Sequence, residues 1–172
     1  MRHVTLITTG GTIEKTYDEQ TGELSNRGSI VRRMLRRLRL EGSRISIVEL
    51  MSKDSLFLTD ADRELIVAGV ANHQNITDAI VILHGTDTLA VTGELLHARF
   101  HPPRIPVVLT GAMRPYEMKR SDALQNLTES IFATGVLPPG VYCVTHGRAL
   151  PFPGVVKDRE SGTFVLPQRA DA

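Results

Sequence analysis

Three apolar runs, each ending at a glycine, constrain the fold of this chain more than any other feature. The runs are "AIVILHG", "IPVVLTG" and "GVYCVTHG", and none of them alternates polar with apolar residues. Strands with continuous apolar sequences are covered on both faces, as in parallel sheets. We therefore expect a parallel sheet with helices packed against both of its sides.

Five candidate strands alternate with helical patterns along the chain. The strands are expected at His3–Thr8, Arg44–Leu50, Ala79–His84, Ile105–Thr110 and Val141–Thr145. Helical periodicity is found in "SIVRRMLRRLRL", "LTDADRELIVAGVANH", "TLAVTGELLHARF" and "SDALQNLTESIFATG". This alternation predicts an α/β fold: a single doubly wound, mostly parallel sheet flanked by helices on both faces.

Helix boundaries are marked by capping and breaking residues. Thr59 is expected as an N-cap, and Asp60 and Asp62 in the first turn favour the positive helix end. Pro102 and Pro103 would stop the third helix, and Gly135 would follow the fourth. After the last predicted strand, prolines and glycines indicate loops with a short hairpin or edge strands, then a surface tail at residues 168–172.

The composition fits one globular domain over residues 1–172, with 41% hydrophobic and 23% charged residues. A net charge of +1 provides no attraction to nucleic acid or to a membrane, so we expect neither as a partner. The sequence lacks the run of ~20 apolar residues that spans a membrane, and it lacks a signal-peptide pattern. Because Cys143 is the only cysteine, we expect no intrachain disulfide and a cytoplasmic location.

Polar and small residues gather where the predicted strands end. They lie at residues 8–12, 52–55, 84–88 and 110–114. Because ligands of open α/β sheets bind outside the carboxyl ends of the strands, we expect these four segments to line one cleft.

Nucleotide and metal sites do not fit these segments. The glycines of "TTGGTI" are adjacent, whereas dinucleotide and phosphate loops space theirs or end in Gly-Lys-Ser/Thr. His97 and His101 are four residues apart but lack further ligands, so we expect neither a metal ion nor a cofactor. The arginines between Arg32 and Arg39 lack interleaved aromatic residues, which favours a solvated helix face over a nucleic-acid site.

A threonine nucleophile fits the cleft better. A threonine hydroxyl needs an activating base, and the chain offers Asp87 directly after Thr86 and Lys157 within the apolar "GVVKD". Partial burial would favour the neutral amine of Lys157, giving a Thr-Asp-Lys version of the Ser-His-Asp arrangement. From the residues alone, Lys157 could equally be a solvated hairpin lysine and Asp87 a helix N-cap.

The segments "LITTGGTIEK", "ILHGTDTLAVTGELL" and "PVVLTGAMRP…SDALQNL" resemble the bacterial-type L-asparaginase family in order and spacing. The resemblance extends from about residue 3 to about residue 157. It implies hydrolysis of the side-chain amide of L-asparagine, a small-molecule substrate, to aspartate and ammonia. It also implies a homo-oligomer, because relatives place the active site near subunit contacts.

The resemblance assigns catalytic roles to five residues. Thr12 is similar in position to the primary nucleophile, and Tyr17 to a tyrosine on a mobile loop that closes over the substrate. Thr86, Asp87 and Lys157 are similar to the second threonine and its acid–base partners.

The resemblance also implies the residues that bind substrate. Ser52 would hold the α-carboxylate, Thr86 and Asp87 would grip the α-carboxylate and α-amino groups, and Gly11, Gly85 and Ala112 would supply close backbone contacts. Lys53, where relatives have a small polar or amide residue, would pair with the substrate carboxylate or point to solvent.

The chain departs from the family in its length. Family members carry a smaller C-terminal domain, which in a neighbouring subunit supplies an acidic residue near the substrate's amino group. We expect a short-chain form without that domain, with weaker substrate affinity and poor activity on glutamine. Two alternatives stay open: an ammonia-releasing subunit of a tRNA-dependent amidotransferase, and an inactive amino-acid-binding or sensing module.

Overall fold

A central sheet organises residues 1–167, the part of the chain that this computed structural model describes. The strands are β1 (Arg2–Gly10), β2 (Thr16–Tyr17), β3 (Leu24–Ser25), β4 (Ser43–Lys53), β5 (Ala79–Leu83), β6 (Pro106–Thr110), β7 (Gly140–Thr145), β8 (Arg148–Pro151), β9 (Val156–Asp158) and β10 (Thr163–Val165). The helices are α1 (Val31–Leu35), α2 (Asp60–His73), α3 (Leu89–Arg99) and α4 (Ala123–Ala133). The tail predicted at residues 168–172 lies outside the described part.

The sheet has six strands in the order β4-β1-β5-β6-β7-β8. The first five are parallel, and β8 adds an antiparallel edge to β7. All five predicted strands are confirmed, with ends within three residues of those expected. The hairpin expected near the C-terminus is β9–β10, and a second small hairpin joins β2 to β3.

Neighbouring residues of each parallel strand face opposite layers of helices. One core contains Leu6 and Val81 together with Met34 of α1 and Leu127 of α4. The other contains Ile7 and Ile82 together with Ile66 of α2 and Leu96 of α3. Because both faces are covered, the doubly wound α/β architecture predicted from the continuous apolar strands is confirmed.

The arginine-rich helix is shorter than its sequence pattern predicts. The periodicity extends to Leu38, but α1 ends at Leu35 and continues in tight turns. Arg37 N donates to Met34 O at 3.0 Å and Leu38 N donates to Leu35 O at 3.0 Å, which are i→i+3 bonds. Leu38 is still partly buried against the core. The apolar pattern therefore predicts which residues are buried, although the chain before β4 forms tight turns there and not an α-helix.

Helix α2 begins as its sequence indicates. The Thr59 hydroxyl accepts a bond from Asp62 N at 3.2 Å, and the Asp62 carboxylate accepts one from Thr59 N at 2.9 Å. This reciprocal capping box satisfies two backbone donors at the helix N-terminus.

The chain between β8 and β9 is held by an aromatic ring lying on a glycine. Phe152 is buried, and a Cβ atom added to Gly93 of α3 would stand only 2.0 Å from its ring. Phe164 of β10, fully buried, pairs with Lys157 of β9. These contacts dock the β9–β10 hairpin beside α3, the helix that follows residues 84–88.

Within residues 1–167, no helix combines the length and apolar character needed to cross a membrane.

We expect Gly93→Ala to destabilise the fold. The added methyl group would overlap the Phe152 ring, and such overpacking costs about 1–3 kcal/mol, against a gain of about 1 kcal/mol in helix propensity. Urea denaturation would measure the loss. The double variant Gly93→Ala/Phe152→Leu should lose less stability than the sum of the losses in the two single variants, since the smaller leucine side chain removes the overlap.

Gly42 provides the matched control, because its φ is outside the left-handed region and no atom of the described residues lies within 4 Å of an added Cβ. Gly42→Ala should change the free energy of unfolding by less than about 0.5 kcal/mol. Equal effects of the two substitutions would contradict the packing role of Gly93.

Candidate active site

The carboxyl ends of β1 and β5 lie side by side where the winding of the sheet reverses. From β1 the chain moves outward to β4, whereas from β5 it moves the other way to β6. Ligand clefts of doubly wound sheets open at such a switch point. The Thr9 hydroxyl of β1 donates to Leu83 O of β5 at 2.8 Å, which ties the two strand ends together. The loops that carry Thr12 and Thr86 both leave from this junction.

Two glycines let these loops touch backbone to backbone. Gly11 has φ 78°, and a Cβ atom on it would lie 2.4 Å from both Cα and N of Gly85. A Cβ on Gly85 would in turn lie 2.5 Å from the Ser55 side chain, in the segment after β4. Side chains at either position would force the loops apart. Thr12 and Thr86, the residues directly after the two glycines, therefore start from one point of contact.

Lys157 reaches this junction from the β9–β10 hairpin. Its Nζ donates to Thr86 Oγ1 at 2.8 Å and lies 2.9 Å from Asp87 Oδ1. The three groups are shielded: Thr86 is buried, and the side chains of Lys157 and Asp87 are 16% and 25% exposed. A hydroxyl, an amine and a carboxylate in this order can pass a proton from the hydroxyl to the amine.

Arg159 also joins the cluster, and sequence reasoning missed it. Its Nη1 lies 3.2 Å from Asp87 Oδ1, the oxygen that Lys157 also contacts, while 72% of its side chain is exposed. The sequence could have indicated Arg159, because it is two residues after Lys157 and residues two apart near a strand end point to the same side.

The loop after β6 closes another side of the junction. A Cβ on Gly111 would lie 2.3 Å from His84 O and 3.1 Å from Thr86 Cγ2. Ala112 is almost fully buried and packs in the core that also contains Leu6 and Val81. Asp122 accepts bonds from the backbone N of Met113 at 2.9 Å and of Arg114 at 3.0 Å, which fixes this loop. Asp122 is itself contacted by His146 Nε2 at 2.8 Å, and these donors lower its pKa against the opposing effect of burial.

The backbone of Gly11 is occupied by the fold. Its N–H donates to Lys53 O at 2.8 Å, and its carbonyl accepts from Asn26 Nδ2 at 2.9 Å and from Glu14 N at 3.1 Å. Close contacts of Gly11 to a substrate would therefore come from its Cα and from the neighbouring Thr12 amide.

Ser52 and Lys53 sit at the end of β4 with different surroundings. The Ser52 hydroxyl accepts a bond from Gly28 N at 3.0 Å and remains exposed. The Lys53 ammonium lies 2.6 Å from Asp62 Oδ1 at the start of α2. This pairing lowers the pKa of Asp62 to about 2, with hydrogen bonds from Thr59 adding to the effect. The sequence left Lys53 either pairing with the substrate carboxylate or pointing to solvent; the structure instead pairs it with Asp62.

Tyr17 lies on the β2–β3 hairpin at the rim. Its side chain is 58% exposed, and its hydroxyl lies 4.0 Å from where a Cβ of Gly22 would stand, on the same hairpin. The Tyr17 N–H donates to Glu117 Oε2 at 2.9 Å, and Arg33 of α1 lies 2.7 Å from the other Glu117 oxygen. In this conformation the hairpin is anchored to the loop after β6 rather than to Thr12.

Glu14 is a buried carboxyl two residues after Thr12, and the sequence offers no sign of its burial. One oxygen accepts from Gly10 N at 3.2 Å, and the other accepts from the Ser29 hydroxyl. Burial is the dominant effect and raises the pKa of Glu14 to about 7, against the opposing effect of these hydrogen bonds. Glu14 thereby ties the turn carrying Thr12 to the segment before α1.

The part of the chain that the structure describes contains no cluster of metal ligands. Within residues 1–167, no group of three or more His, Cys, Asp or Glu side chains is placed to hold a metal ion. The rings of His97 and His101 lie 4.6 Å apart at the opposite end of α3 from Thr86. His84 is buried, contacts Gly85 O and Thr92 Oγ1 at 2.8 Å each, and has its pKa lowered to about 4 by burial.

Comparison with known proteins gives one family. Residues 3–163 match the family model described as "Asparaginase, N-terminal". The L-asparaginase of Thermococcus kodakarensis is 34% identical over 134 residues, which are 78% of this chain and 41% of that protein. A glutamyl-tRNA(Gln) amidotransferase component from Thermoplasma acidophilum is 31% identical over 142 residues, 78% of this chain and 33% of that protein.

The comparison with solved structures identifies proteins of the same family. The thermostable L-asparaginase from Thermococcus kodakarensis superposes with a TM-score of 0.85 at 30% identity, covering 95% of this chain and 51% of that one. L-asparaginase I from Vibrio cholerae superposes with a TM-score of 0.83 at 26% identity, covering 96% and 51%. The chain spans about half the length of these structures and less than half that of the curated relatives above.

We expect the stability of the protein to fall as Glu14 ionises. Because its pKa rises from 4.5 to about 7 on folding, the unfolded chain loses the proton first, so the stabilisation is complete below pH 4.5 and lost by about pH 7. The shift corresponds to about 3 kcal/mol. Glu14→Gln keeps partners for Gly10 and Ser29 without a charge, and it should remove this pH dependence.

Urea denaturation from pH 4.5 to pH 8.5 would compare the two proteins. Glu14→Gln should become the more stable one as the pH rises. Parallel pH profiles for wild type and variant would contradict the buried, proton-binding state of Glu14.

Proposed function

Because the chain belongs to the asparaginase family, we propose that it is an amidohydrolase that converts L-asparagine to L-aspartate and ammonia through a covalent acyl-threonine intermediate. The observation that carries this proposal is the position of Lys157 Nζ, 2.8 Å from Thr86 Oγ1 and 2.9 Å from Asp87 Oδ1. The Gly11–Gly85 contact supports it by bringing Thr12 to the same junction. Acyl transfer through a threonine ester requires such hydroxyls together with a base and its orienting carboxylate.

In the first step, the Thr12 oxygen attacks the carboxamide carbon. The C–N bond breaks, and ammonia leaves carrying the proton that the Thr12 hydroxyl loses. The developing oxyanion needs backbone donors, each worth about 3 kcal/mol. Because the Gly11 N–H already donates to Lys53 O, we assign this task to the amides of Thr12 and of the Gly85–Thr86 turn.

In the second step, water attacks the ester. Its proton passes through the Thr86 hydroxyl to the neutral amine of Lys157, while Asp87 orients that amine. Aspartate leaves and Thr12 regains its hydroxyl proton. The Lys157 side chain is 16% exposed and lies on the hairpin beside the buried Phe164, which supports this role because little bulk water can compete for the transferred proton.

The remaining assignments concern substrate binding. Ser52 holds the α-carboxylate, and Thr86 and Asp87 contact the α-carboxylate and α-amino groups. The backbones of Gly85 and Ala112 make close contacts with the substrate's side-chain amide. Lys53 could reach the substrate carboxylate only after it releases Asp62. The β2–β3 hairpin closes over the bound substrate and brings Tyr17 toward Thr12, which would exclude water from the first step.

The assembled protein is proposed to be a cytoplasmic homo-oligomer. Leu56 and Phe57, directly after the Ser55 contact with Gly85, are 63% and 75% exposed, which supports a protein contact beside the cleft. The relationship to amidotransferase components supports a second candidate, in which the chain releases ammonia for a partner enzyme. Ammonia release by the purified chain without tRNA or partner favours the first.

We expect Thr12→Ala to lower kcat by ~10³-fold or more, because it removes the nucleophile. Thr86→Ala should lower kcat strongly as well but leave the first step measurable. Coupled ammonia detection gives the rates, and intact-mass spectrometry after rapid acid quench detects an acyl-enzyme, which should accumulate in Thr86→Ala and be absent in Thr12→Ala.

Thr128→Ala serves as the control, since among residues 1–167 the hydroxyl of this exposed threonine on α4 bonds only to Leu124 O of its own helix. It should retain wild-type rates. If Thr86→Ala abolishes the acyl-enzyme while Thr12→Ala merely slows turnover, the roles of the two threonines are the reverse of those proposed.

A further inference from the structure

The side chain of Glu14 closes the turn that carries Thr12. Its Oε2 accepts a hydrogen bond from Gly10 N at 3.2 Å, and the Glu14 N–H donates to Gly11 O at 3.1 Å. On the other side, Lys15 N donates to Thr12 O at 3.2 Å. The positions of the Thr12 hydroxyl and of its amide therefore depend on the closure of this turn, to which Glu14 contributes a side-chain bond.

The same carboxyl helps to hold residues 26–29, the segment that follows the β2–β3 hairpin. Glu14 is only 1% exposed, so water cannot take over its bonds while this segment stays in place. Three hydrogen bonds join the segment to the turn and to the end of β4: Ser29 Oγ to Glu14 Oε1, Asn26 Nδ2 to Gly11 O at 2.9 Å, and Gly28 N to Ser52 Oγ at 3.0 Å.

The Glu14 carboxyl is buried without a compensating cation. Among residues 1–167 it forms no ion pair, and the charged group that acts on it is Glu49 of β4, a like charge. The cations on the neighbouring segments each pair with another carboxylate: Lys15 with Asp54, Lys53 with Asp62, Arg32 with Glu49, and Arg33 with Glu117. An unpaired carboxylate is costly to bury, which favours the neutral acid in the folded protein.

Ionisation of Glu14 therefore works against the closed arrangement. Burial is the dominant effect and raises the pKa of Glu14 to about 7, although hydrogen bonds from Ser29, Gly10 and Ile30 oppose it. Above this pH, the carboxylate gains hydration only if the turn or residues 26–29 move away from it. A displacement of about 1 Å at a reacting group can lower a rate by roughly 10²-fold.

We propose that Glu14 is a positioning residue for the first step: its neutral carboxyl holds Thr12 ready for attack and keeps residues 26–29 against the cleft, and its ionised form releases both. This inference rests on the proposed amide hydrolysis. It gives the first step an alkaline limit that comes from a residue outside the Thr86, Asp87 and Lys157 group.

The test measures single-turnover ammonia release from L-asparagine by quenched flow, with enzyme in excess, between pH 6 and pH 8.5. Ammonia leaves in the first step, before Lys157 takes part. The wild-type rate should fall about tenfold or more over this range. Glu14→Gln should keep a nearly constant rate and be the faster protein at pH 8.5, because its amide can accept from Gly10 N and donate to Ser29 Oγ without becoming charged.

Two further variants separate charge from geometry. Glu41→Gln is the matched control, because this exposed glutamate precedes β4 and lies at the opposite end of that strand from Ser52. It should follow the wild-type pH profile. Glu14→Asp keeps an ionisable carboxyl on a side chain too short to reach both partners, so its rate should be lower at every pH, by roughly tenfold or more.

Hydrogen exchange gives a readout that does not need turnover. All proteins are compared at a temperature at which circular dichroism shows them folded at each pH. After correction for the intrinsic exchange rate, the protection of the amides of residues 26–31 should fall about tenfold between pH 6 and pH 8.5 in the wild type. In Glu14→Gln this protection should stay constant.

The outcomes separate this inference from the proposed function. Parallel pH profiles of wild type and Glu14→Gln overturn the inference and leave the amidohydrolase standing. The wild type alone is also decisive, since a rate and a protection that both stay constant with pH overturn the inference even if Glu14→Gln does not fold. Failure of every variant and of the wild type to release ammonia overturns the proposed function, and the exchange profiles alone then decide whether Glu14 holds residues 26–29.

Discussion

The contact between the backbones of Gly11 and Gly85 is the constraint on which the candidate site depends. It occurs at the switch point of the sheet, where β1 and β5 end side by side. The separation leaves no room for a Cβ atom, since one on Gly11 would lie 2.4 Å from the Gly85 backbone. Because each glycine directly precedes a threonine, the same contact that closes the sheet edge also sets the positions of Thr12 and Thr86. Fold and chemistry share one backbone junction.

Much of this architecture could be predicted because it follows from local pattern. Continuous apolar runs identified the parallel strands, and Thr59 with Asp62 identified the start of α2, since capping depends on residues three apart. The predicted length of α1 was wrong because its periodicity records burial, and burial continues to Leu38 after the helix has tightened into turns. Periodicity alone cannot separate a helix from a turn that buries the same residues.

The charged groups of the cleft were less predictable, because their partners come from distant segments. The sequence left Lys53 between substrate and solvent, whereas its ammonium bonds to Asp62 at the start of α2. Lys157 reaches Thr86 across 71 positions of sequence, and it does so because Phe152 packs on Gly93 and docks its hairpin beside α3. Residue chemistry alone left Lys157 either as a partner of Thr86 or as a solvated hairpin lysine, and the match to the family's motifs favoured the first. The family's motifs assigned no role to Arg159 or Glu14.

The pairing of charges leaves hydroxyl groups and Lys157 as the candidate reacting groups of this cleft. Asp54 and Asp62 are held by Lys15 and Lys53, and Glu14 is buried with its pKa raised to about 7. Free carboxylates are therefore scarce in the cleft, and the proposed proton transfer uses Lys157 and its threonine partner. The one carboxylate in contact with that lysine, Asp87, carries an additional cation from Arg159. Asp87 thus orients the Lys157 amine on one side and holds the exposed guanidinium of Arg159 on the other.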